Sequence, residues 1–125
     1  MKFDPLDPPR TFQVGNSVIF DMHDCGRIAL QPDEQITFLT EDGAELDVAR
    51  KNWGYYALPS LNGRLLSFGL RTALVKNTLT GRYFIMVVEL GKEPIFESYL
   101  TQESCIVVHW LDSTESLDHL HSRLK

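Results

Sequence analysis

Arg82-Tyr83-Phe84-Ile85-Met86-Val87-Val88-Glu89-Leu90 is the stretch whose reading decides the fold. Tyr83 to Val88 is an unbroken apolar run, rich in aromatic and β-branched side chains and too short for a buried helix, so it reads as a strand. With no polar residue to mark a solvent face, it is expected to be a central strand, buried on both sides and anchoring the core. Asn77-Thr78-Leu79-Thr80-Gly81 before it has the chemistry of a hairpin tip. Upstream, Leu65 to Val75 suits either a helical face or a strand, and Gly69 together with that tip favours strand.

Working outward, Phe12 to Val14 and Val18 to Met22 are expected strands separated by Gly15-Asn16-Ser17, with Asp24-Cys25-Gly26 as a tight turn into Arg27 to Leu30. Gln35 to Thr40 and Ala44 to Arg50 flank Glu41-Asp42-Gly43, and Asp-Gly between alternating residues is a hairpin signal. Residues 52–64 read as a short strand entering a shaped loop. Pro94 opens a helix running to Glu103, with Ile95, Phe96, Tyr99 and Leu100 on one stripe. Cys105 to Leu111 returns to strand, and the tail over 113–125 is a capped amphipathic helix with Leu117, Leu120 and Leu124 on one side. The sum is a mainly β, α+β fold: a small antiparallel barrel or sandwich with one short internal helix and a C-terminal amphipathic helix.

A chain of 125 residues, 43% hydrophobic and 23% charged, without repeats or low-complexity stretches, fits a single domain over 1–125. Residues 1–10 carry three prolines and no apolar h-region, so they are expected to form a flexible lead rather than a signal peptide. No run approaches the length of a membrane span. The expected location is cytoplasmic, where Cys25 and Cys105 stay reduced.

Charge is segregated along the chain. Residues 48–88 contain no Asp or Glu, yet they hold six of the twelve Lys and Arg; all 17 acidic residues lie elsewhere. Overall acidity argues against non-specific nucleic-acid binding, which needs many cations to displace counterions. Inside the acid-free segment Arg50, Lys51, Trp53, Tyr55, Tyr56, Asn62, Arg64 and Arg71 form a basic, aromatic cluster, with Phe68 beside it. Guanidinium groups suit phosphate or carboxylate and rings suit a base or sugar face, so the expected ligand is anionic: a nucleotide, a sugar nucleotide or an acidic sugar. Strand order decides whether Arg50, Arg64 and Arg71 converge. The alternative is a protein-interaction or homo-oligomerisation module presenting the same face to an acidic protein surface or to a second copy. A third reading is a small enzyme on the same anionic substrate, with Glu89, His23 or His109 as acid or base.

Other constellations carry less. His23 and Cys25, and Cys105 and His109, have spacings that place each pair on one strand face, a geometry two adjacent strands could offer to a tetrahedral metal. The Cys-x2-Cys knuckle is absent, and no metal or cofactor is expected. His119 and His121 fall on a helix, where i and i+2 diverge. No Gly-x-Ser-x-Gly elbow, P-loop or dinucleotide fingerprint occurs, so Ser60 and Ser67 are read as turn residues. Glu89 is expected to pair with Arg71 or Arg82.

Overall fold

The computed structural model describes residues 1–124; the expected end of the tail helix at Lys125 lies outside them. Eight strands and three helices follow one another as β1 (Lys2–Val14), β2 (Phe20–Ala29), β3 (Gln35–Leu39), β4 (Glu45–Lys51), β5 (Gly54–Tyr56), α1 (Arg64–Ser67), β6 (Leu70–Asn77), β7 (Tyr83–Glu89), α2 (Glu93–Gln102), β8 (Cys105–Trp110) and α3 (Thr114–Arg123). The fold is mainly β, with all strand pairs antiparallel. The strands do not close into a barrel: they form three separate sheets, ordered β1-β2, β3-β4-β5 and β7-β6-β8.

The third sheet holds the core. Side chains alternate across it, so Ala73 and Val75 of β6 face one way and Leu70 and Thr72 the other. The first face packs under α2, where Ala73, Val75 and Leu100 are buried with Phe96, Met86, Val107 and Trp110 around them. On the second face Leu70 is buried against Leu65 of α1 and Ala44, with Leu46, Leu61 and Val87 around them. Thr72 beside them is fully buried, but toward the β6–β7 turn that face lies open: Tyr83, Ile85 and Ile106 are each more than half exposed.

Four readings of the sequence are corrected. The run Tyr83–Val88 is an outer strand, paired on one side with β6 and on the other with nothing among the described residues. Its composition is that of a centre strand, but its neighbour across the hairpin, β6, takes the centre because β8 returns to β6. Asp24-Cys25-Gly26 is not a turn; β2 passes straight through it. Pro5 pairs with Gly26 and Arg10 with Asp24, so residues 6–9 of β1 loop out opposite the single residue Cys25. Residues 2–10, expected as a flexible lead, thus belong to β1, whose prolines sit where the ladder is interrupted. Leu65 begins no strand: Ser60 Oγ accepts from the Arg64 N–H at 2.8 Å, winding 64–67 into a single helical turn that Gly69 (φ 88°) ends.

The β1–β2 hairpin is attached at its ends. Its tip meets the end of α2, where the Asn16 N–H donates to Glu103 Oε2 at 2.8 Å and Ser17 Oγ donates to the Gln102 carbonyl at 2.6 Å. Register places Phe12 opposite Met22 and Val14 opposite Phe20 on one face, with Thr11 opposite His23 and Gln13 opposite Asp21 on the other. The ribbon is amphipathic, and Phe12, Phe20 and Met22 of its apolar face are exposed.

Candidate functional site

The second sheet divides the basic, aromatic cluster between its two faces. Register pairs Arg50 with Tyr55 and Ala49 with Tyr56, so Arg50 and Tyr55 share one face while Ala49 and Tyr56 share the other. On the first, the Arg50 guanidinium lies 5.8 Å from the Tyr55 ring and donates to the Gly54 carbonyl at 3.3 Å. Tyr55 also borders an apolar gap of about 130 Å³ with Ile28, Leu30, Ile36, Phe38 and Val48. On the opposite face Tyr56 and Arg64 line a cleft of about 200 Å³ with Gln35, Asp47, Ala49 and Pro59. Arg71 belongs to neither, since it sits in the third sheet. Of the eight site residues read from the sequence, the fold brings together Arg50 with Tyr55, and Arg64 with Tyr56.

Carboxylates from outside the acid-free segment meet three of its six cations. Lys51 Nζ lies 2.5 Å from Asp33 Oδ1, and Arg64 Nη2 lies 3.1 Å from Asp47 Oδ2 while its guanidinium stacks on Phe68. Arg71 is held most closely. Its Nε donates to Asp112 at 2.7 Å, its Nη1 donates to Glu93 at 3.3 Å, and its guanidinium lies 3.6 Å from the Trp110 ring. Asn62 donates to Thr114 Oγ1 at 3.0 Å, linking the loop to the start of α3. Trp53, in the β4–β5 turn, is 68% exposed.

The remaining candidates have structural partners. Glu89 does not pair with Arg71 or Arg82; it accepts from Thr40 Oγ1 and lies 2.7 Å from Lys92 Nζ, which Asp42 also meets at 2.9 Å. The hydrogen bond from Lys92, with that from Thr40, holds the Glu89 carboxyl below the usual carboxylate range, and Glu89 with Asp42 raises Lys92. A carboxylate so stabilised as the anion is a poor general base. Ser67, on the same cleft of about 300 Å³, donates to the Gly63 carbonyl at 3.2 Å. Cys25 lies in β2 and Cys105 in β8, in different sheets, and burial pushes the Cys105 thiol up. Among the described residues no three His, Cys, Asp or Glu side chains are grouped to hold a metal ion. His109 Nε2 lies 3.0 Å from Ser116 Oγ, joining β8 to α3.

Surface missed in the sequence is the larger feature. Among the described residues seven apolar side chains are buried, whereas twenty-three large ones, including Phe3, Phe12, Phe20, Phe38, Tyr83 and Ile85, stand exposed. The signal available was the hairpin's even-numbered apolar residues, which alternation groups on one face without saying what covers them. Among the described residues no helix is long and apolar enough to cross a membrane. A scan against protein-family models and searches of curated proteins and solved structures return no match to this chain.

Proposed function

We propose that the chain is a protein-association module whose working surfaces are apolar sheet faces and edges that another polypeptide covers. The observation that carries this reading is area. A folded monomer of 14.3 kDa is expected to expose about 6,800 Å², whereas this chain exposes 8811 Å². The excess of roughly 2,000 Å² per chain is of the size that obligate interfaces remove from water. Exposed aromatic and aliphatic residues stand on the hairpin, on the open half of the third sheet and on β3. An anionic ligand receives less support, because Asp33, Asp47, Glu93 and Asp112 already meet Lys51, Arg64 and Arg71, and Arg50 alone of the four cations is left without a carboxylate among the described residues.

Two measurements on the purified full chain test the reading: sedimentation across a wide dilution series and binding of an apolar dye under native conditions. Association, or a monomer that binds dye while keeping its near-ultraviolet dichroism, is the expected outcome. A monomer that binds no dye defeats it. Thermal stabilisation by a nucleotide or acidic sugar that Arg64→Ala abolishes would return the argument to the anion site.

A further inference from the structure

Resting on that association reading, we infer that the partner is a second copy of this chain, joined through antiparallel pairing of β7 with β7 of the other copy. Hydrogen bonding fixes which backbone groups of β7 point outward. The Asn77 N–H donates to the Arg82 carbonyl at 2.8 Å and the Leu90 N–H to the Gly69 carbonyl at 2.9 Å, bracketing the ladder at both ends with the same parity. In an antiparallel pair the residues that exchange backbone bonds alternate, so Phe84, Met86 and Val88 bond to β6, while the N–H and C=O of Tyr83, Ile85 and Val87 face outward. No backbone bond from those three residues reaches another element among the described residues.

This edge lacks the guards that outer strands usually carry. Between Tyr83 and Val88 there is no charge, proline, glycine or bulge. The chain's other outer strands differ. β1 has three prolines and an interrupted ladder, β2 carries Asp21, Asp24 and Arg27, β3 and β5 are five and three residues long, and β8 has a register shift against β6. A strand composed for the middle of a sheet stands at its margin. Self-pairing puts it in the middle, as the fourth and third strands of a six-stranded sheet.

The sequence of β7 suits its own image. Centred on Ile85, antiparallel register sets Tyr83 opposite Val87 of the other copy and Phe84 opposite Met86, giving apolar cross-strand pairs with no charge facing a charge. Apolar side chains also line the two grooves that flank the edge. Val87 and Val88 line a groove of about 370 Å³ with Ile95, Phe96 and Tyr99 of α2. Phe84 and Met86 line another, of about 510 Å³ and mixed character, with Val14 and Tyr99 on its apolar side and Asn16, Arg82 and Glu103 on its polar side. A two-fold pairing removes the free edge from both copies and so stops at the dimer.

The test takes the wild-type full chain with Ile85→Lys and Ile85→Pro. Ile85 is 52% exposed and its N–H is unused within the chain, so both variants are expected to retain the far-ultraviolet dichroism of the parent. Wild type should sediment at twice 14.3 kDa and both variants at 14.3 kDa. In wild type the Ile85 and Val87 amides should exchange slowly with solvent deuterium, and in Ile85→Lys both should exchange as open edge amides. A monomeric wild type that binds apolar dye overturns the β7 pairing and leaves the association reading standing. So does a dimer in which Ile85 and Val87 exchange fast. A monomer without dye binding defeats both.

Discussion

Thr72 carries its hydroxyl into the fully buried middle of β6, where Oγ1 has no hydrogen-bond partner among the described residues. A buried hydroxyl left unpaired costs about 1–3 kcal/mol, and valine has nearly the same shape without that cost. Thr72→Val should therefore stabilise the chain by about 1 kcal/mol, seen as a melting temperature a few degrees higher; an unchanged or lower value would mean that the hydroxyl has found a partner. The neighbouring Arg71 shows what single residues disclose in advance. Its charge was plain in the sequence, as was the lack of acids around it. Its partners Glu93 and Asp112 lie 22 and 41 positions away, brought to it by sheet pairing that no local pattern encodes. Linear segregation of charge thus became pairing in space.

Among the elements, those defined by local chemistry were legible. Asp42-Gly43 between alternating residues gave the β3–β4 hairpin, and Ser113, whose Oγ accepts from the Ser116 N–H at 3.0 Å, gave the start of α3. α1 was not, because one helical turn has too few residues for a period and Gly69 reads equally as a strand breaker or a helix stop. Tertiary contact maintains that turn: Leu65 is completely buried against Ala44 and Leu70. Leu65→Ala should cost about 2–5 kcal/mol in denaturant unfolding, a large effect for so short an element. A loss under 1 kcal/mol would show that the surrounding side chains collapse into the space. The β1–β2 ribbon is the opposite case, an element whose strands could be read but whose extent could not. Its residues 2–10 looked like a tail because prolines interrupt the pattern, and they pair nonetheless on either side of the looped-out stretch.

At the scale of the molecule, three carboxyls tie separate parts together in acid-sensitive fashion. Glu34, Glu89 and Glu93 all titrate below the ordinary value of 4.5: Glu34 mainly through the Gln31 N–H, Glu89 through Lys92, and Glu93 through backbone N–H groups with Arg71 contributing. A depressed carboxyl lends stability that is fully present above its unfolded value and is lost as pH falls through its folded value. Melting temperature should accordingly hold near neutrality and decline below pH 4.5, with Glu89→Gln less stable at neutral pH and shallower in its acid decline. A wild-type profile flat into the acid range would contradict the assignment. The fold class could be read from the sequence; the order of strands and the identity of the outer ones could not, because they depend on which long-range pairings win. The expected site was legible as composition and dispersed by topology, since alternation along β4 and β5 puts Arg50 with Tyr55 on one face and turns Tyr56 to the other, where α1 brings Arg64.

The unequal settings of Trp53 and Trp110 make the chain its own optical probe. Trp53 projects into solvent from the β4–β5 turn, whereas Trp110 sits edge-on to Phe96 at 5.9 Å with Arg71 against its face. Only Trp110 has an apolar environment to lose, so a red shift of intrinsic fluorescence during unfolding reports the release of α2 from the third sheet. Iodide, by contrast, quenches chiefly the emission of the second sheet, and the two halves of the molecule can be followed separately without any label.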